Sequence, residues 1–78
     1  MENTFIYGMK VTLGNENGIV VIDDLDEPNF CGVIRWDTPK ENDTEDWRGL
    51  FGTFIQIGGK IIRDDHPFQF IKDDGSLK

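Results

Sequence analysis

The stretch MKVTLGNENGIVVID, residues 9–23, decides what kind of fold this chain can take. Its first five residues alternate, with Val11 and Leu13 on one side of an extended segment, and GNENG (14–18) then supplies turn chemistry. Aliphatics resume in GIVVID (18–23), so the pair reads as a β-hairpin. Working outward, no stretch sustains an apolar period of 3.6 residues, and the whole chain is expected to be β-rich. DDLDEPN (23–29) is too polar and too full of breakers for a strand. FCGVIRW (30–36) resumes one, with Phe30, Gly32, Ile34 and Trp36 on one face and Cys31, Val33 and Arg35 on the other.

TFIQIGGKIIR (53–63) gives the sharpest local expectation, because Gly58 and Gly59 suit a two-residue hairpin turn that needs positive φ. That turn sets Ile57 opposite Lys60, Gln56 opposite Ile61, Ile55 opposite Ile62 and Phe54 opposite Arg63. Ile55, Ile57 and Ile62 then share the core face. Asp64 to Pro67 form the next turn, and PFQFI (67–71) makes a last short strand with Phe68 and Phe70 facing in. The tail KDDGSLK (72–78) is expected to be disordered. These readings describe an all-β fold: one domain over residues 1–71, with five to six short antiparallel strands in a small barrel or two packed sheets.

The chain has 78 residues, 37% of them apolar, which limits the core to a thin one that a second copy could help to cover. Six Phe, two Trp and one Tyr offset the shortage by burying much area per residue. The formal charge of −7 is concentrated: from Asp23 to Asp46, nine acids stand against two bases, while the rest of the chain is balanced. Such a field repels phosphate backbones and anionic lipid and attracts basic surfaces, so direct nucleic-acid binding is disfavoured. A single cysteine precludes an internal disulfide. MENTFIYGMK has neither a basic nor an apolar leader region, so the chain is expected in the cytoplasm. No apolar run is long enough to span a bilayer, and a membrane role is not expected.

Gly18-Ile19-Val20-Val21 followed by Val33-Ile34-Arg35-Trp36-Asp37 resembles the G-x-V-V and V-x-W-D pattern of Src-homology-3-like small barrels, especially the tudor-like and Mind-bomb-type members. The resemblance covers residues 8–71. It implies a barrel that recognises peptides or modified side chains with aromatics between loops, and no catalysis. The long acidic loop after Trp36-Asp37 departs from that pattern, where a tight turn is usual.

Enzymatic chemistry finds little material. His66 and Cys31, the one histidine and the one cysteine, fall 35 residues apart, in a turn and a strand. DTPKENDTED, read as a calcium loop from Asp37, puts Pro39 at position 3 and Arg48 at position 12, which defeats the ligand pattern. Zinc lacks ligands, and no cofactor is expected. The acids of the loop read as neighbours on a solvated surface rather than a catalytic pair. Gly49 and Gly52 have no expected helix behind them to receive an anion.

What remains is a contact surface. Trp36 closes a strand face and Trp47 ends the acidic loop, and an exposed indole among carboxylates favours a Lys or Arg side chain. The candidate partner-binding residues are Trp47, Asp43, Glu45, Asp46, Glu41, Asp37, Trp36, Asp24, Asp26 and Glu27. The expected function is a non-enzymatic interaction domain docking on a basic protein or peptide surface. The alternative is a small acidic inhibitor or immunity protein that blocks the basic active site of a toxin or nuclease.

Overall fold

The computed structural model describes residues 4–21 and 31–78. The fold is mostly β: one five-stranded antiparallel sheet and one short helix. In chain order the elements are β1 (Lys10–Leu13), β2 (Glu16–Val21), β3 (Val33–Trp36), β4 (Thr44–Asp46), α1 (Phe51–Gln56) and β5 (Lys60–Ile61). The strands lie in the order β4-β3-β2-β1-β5. Gly14 and Asn15 close the first hairpin, with Leu13 opposite Glu16 and Lys10 opposite Ile19. The hairpin read from this stretch is therefore present over residues 10–21, with a tighter turn than GNENG suggests.

Each face of the sheet is covered by a different part of the chain. Val11, Val20, Ile34 and Trp36 pack with Phe5, Met9, Cys31 and Phe54, so α1 and the N-terminal segment roof one side. Ile19 packs with Phe68 and Ile71 on the other, which makes the C-terminal segment a strap across the second face. Phe5 meets Phe51 and Phe54 edge-on at centroid distances of 5.0 and 5.5 Å, a favourable aromatic geometry.

Several expectations are corrected. Residues 53–57 are not a strand, and the Ile57-to-Lys60 register does not form: α1 occupies 51–56, and β5 pairs with β1 through Val11 opposite Ile61. The reason is spacing, since Phe51 and Phe54 both reach the core at an interval of three, which a helix satisfies and a strand cannot. Ile55 and Ile57, expected inside, are exposed. Gly58, at φ 109°, takes the left-handed conformation that ends the helix rather than turning a hairpin.

PFQFI is not a strand of the sheet, although Phe68 is buried and Phe70 partly so. The backbone N–H groups of Gln69 and Phe70 donate to the Asp37 carboxylate at 2.9 and 2.7 Å, so a side chain fills the place of a neighbouring strand. The tail, read as disordered, folds into a turn. Gly75 N–H donates to the Lys72 carbonyl, Lys72 N–H to the Ser76 carbonyl and Lys78 N–H to the Phe70 carbonyl. Finally, the acidic loop contains β4, which its polar composition concealed.

A candidate interaction surface at the acidic edge

Strand β3 organises the acidic region. Its four residues are all buried, and Arg35 among them is only 3% exposed. The Arg35 guanidinium ends on main-chain oxygens of the loop that follows, donating to the carbonyls of Trp36, Thr38 and Lys40. A fork of five fixed donors suits such a task, because carbonyls facing several directions can be satisfied at once. The loop over residues 37–43 is thus folded around a buried cation, and it delivers the chain into β4 at the edge of the sheet.

Each acid of this region has a defined place. Asp37 is half-buried and holds the strap through Gln69 and Phe70. Asp43 accepts from the Thr38 hydroxyl at 2.7 Å through Oδ2. Glu45 accepts from Trp36 Nε1 at 2.6 Å through Oε1. Asp46 pairs with Arg48, whose Nε and Nη2 approach its two oxygens at 2.9 Å. The side-chain and backbone hydrogen bonds from Arg48 hold the Asp46 carboxyl at a pKa of about 2, below its ordinary 3.8. Glu41 is exposed on the loop beside Lys40. Asp37, Glu41, Asp43, Glu45 and Asp46 all lie in the loop and edge strand spanning 37–46, with the Asp37 carboxylate turned to the strap, while Asp24, Asp26 and Glu27 lie outside the described residues.

The two tryptophans differ from the expected contact pair. Trp36 is 2% exposed and belongs to the core, where its ring is closed to a partner, and only its N–H reaches the surface acids. Trp47 is half-buried and stands edge-on to Phe54 at 5.2 Å, packed against the same core. Its Nε1 is buried without a hydrogen-bond partner among the described residues. The chain returns here because Gly32 permits it: a Cβ at that position would lie 2.8 Å from the Arg48 backbone, and the Gly32 carbonyl accepts the Trp47 N–H at 2.9 Å.

Sequence reasoning missed the positioning residues Arg35 and Thr38. Their signal was present, since an arginine inside an otherwise apolar strand must find partners when buried. Elsewhere, an open depression of about 780 Å³ is lined by Ile61, Ile62, Arg63, Asp65, His66 and Pro67, apart from these acids. Among the described residues no group of three or more His, Cys, Asp or Glu could hold a metal ion. No helix among them is long and apolar enough to cross a membrane. No family model, curated protein or solved structure matches the chain.

Proposed function

We propose that this chain is a non-enzymatic interaction domain that docks its acidic edge, residues 37–46, on a basic protein or peptide surface. Five acids and one base lie in that span. The observation that carries the reading is the way the carboxylates are held. Asp43 and Glu45 each have one oxygen tied to a partner of the same domain, while the other has no partner among the described residues. Carboxylates immobilised before binding lose less side-chain freedom when a cation arrives, which raises the affinity each contact can deliver. Trp47 serves this surface as a core anchor beneath it rather than as an exposed ring.

The same reading takes the domain as a small barrel of the Src-homology-3-like kind. A meander from β1 to β4 with β5 returning to β1 is consistent with it. The test is an NMR titration with an oligolysine peptide at ionic strengths of about 0.01 and 1 M, where the screening length falls from about 30 to 3 Å. Amides of residues 37–46 are expected to shift at low salt and to stay still at high salt. The triple variant Glu41→Gln, Asp43→Asn, Glu45→Gln keeps the hydrogen-bond acceptors and removes three charges. It should bind about threefold to a hundredfold more weakly, as exposed ion pairs are worth about 0.2–1 kcal/mol each. Shifts located elsewhere, or equal affinity for the variant, defeat the proposal.

A further inference from the structure

We infer that the open edge of β4 receives an extended peptide with Lys or Arg at alternate positions, which adds to the sheet as a sixth, antiparallel strand. This rests on the docking role proposed for the acidic edge and specifies the partner's conformation and sequence pattern.

The argument begins with the backbone. In an antiparallel ladder, successive residues turn their N–H and C=O alternately toward and away from the neighbouring strand. Trp36 N–H donates to the Asp43 carbonyl and Trp47 N–H to the Gly32 carbonyl, and Ile34 stands opposite Glu45. Residues 43, 45 and 47 therefore face β3, and Thr44 and Asp46 face away from it. The Thr44 N–H is taken by the Asn42 carbonyl at 3.0 Å. The Thr44 carbonyl and both backbone groups of Asp46 have no partner among the described residues. These three groups form the pattern to which a further strand bonds.

Side chains select what kind of strand it is. Asp43 and Glu45 are two residues apart, so they project to the same side of the edge. A residue of the added strand lying opposite Glu45 and another lying opposite Asp43 are likewise two apart. Both meet a fixed carboxylate with one oxygen open. Asp46, between Glu45 and Arg48, already has its counter-charge in Arg48 and asks for no base opposite it. The edge thus fits basic, any, basic, and an acidic strand placed there meets like charges directly opposite, which is unfavourable.

The experiment uses the intact chain and two synthetic peptides of about seven residues with Lys at every second position, a length typical of strands. One has ordinary amides, and the other is N-methylated at the two amides that would face the Asp46 and Thr44 carbonyls. The ordinary peptide should slow hydrogen exchange at the Asp46 amide by about tenfold or more and bind about tenfold more tightly than the methylated one. Equal binding of both peptides, with shifts confined to residues 37–46, overturns strand addition and leaves electrostatic docking intact. Failure of both peptides to bind overturns the docking role as well. An Asp46 amide already protected without peptide, in a sample with the mass of a dimer, assigns the edge to a second copy and also overturns the inference.

Discussion

Lys10 shows how one side chain can hold two parts of this fold together. It is 3% exposed; its Nζ donates to the His66 carbonyl at 2.7 Å and to Asp73 at 3.0 Å, and lies 4.9 Å from the Phe68 ring centroid. All three partners belong to the C-terminal strap. The Asp73 side chain is 82% exposed, so its attraction is screened, and the carbonyl and ring should carry most of the tie. Lys10→Met keeps the buried stem and removes the donor. It should lower unfolding free energy by about 1–3 kcal/mol in urea melts, as expected for a buried group left unpaired. Asp73→Asn keeps an acceptor and should change it by less than about 1 kcal/mol. Asp46 makes a second residue-scale prediction. Its pKa in the fold, about 2, lies below the unfolded value, so its contribution is complete above about 4 and disappears as pH falls through 2. Carboxyl chemical shifts should titrate Asp46 near 2, and Arg48→Met should return it toward 3.8.

At the scale of elements, α1 and Gly59 form one unit. A Cβ at Gly59 would fall 2.3 Å from the Phe54 ring, which is fully buried, and Gly59 N–H donates to the Phe54 carbonyl at 2.8 Å. Gly59→Ala must displace that ring, and calorimetry should register a loss of about 1–3 kcal/mol, the usual size of overpacking. An unchanged transition would show that the ring does not need the space. The same element explains what the sequence hid. Val11, Ile19, Val20, Ile34 and Trp36 announced β1 to β3 as apolar runs bounded by turn residues, because both faces of those strands are covered. Six uncharged residues of α1 allow a strand as readily as a helix, and Gly58-Gly59 imitates a hairpin turn. β4 was invisible for the opposite reason: Thr44, Glu45 and Asp46 are all exposed, so no apolar residue marks the period of an edge strand. The acids of the site were legible as composition. Their fixed orientation was not, because it depends on Arg35, Thr38 and Trp36 reaching them through the fold.

The whole molecule is a sheet clasped on its second face by the strap, with Lys10 anchoring one part and Asp37 another. Asp37 thereby belongs to two structures at once: it opens the acidic loop and holds Gln69 and Phe70 by their backbone N–H groups. The Asp37 backbone N–H in turn donates to the Asn17 carbonyl at 2.7 Å, which fixes the carboxylate relative to β2. Replacing the side chain in Asp37→Ala frees two strap donors without touching the ladder between β2 and β3. Local opening is governed by such sparse ties, whereas the paired strands open only with wider loss of structure. Native-state hydrogen exchange should therefore accelerate at Gln69 and Phe70 by about tenfold or more in the variant, while Val20 and Ile34 change much less. Equal acceleration at all four amides would mean that strap and sheet open as one unit. In that case the clasp at Asp37 is part of the global cooperative fold, and the acidic loop cannot be perturbed independently of the core beneath it.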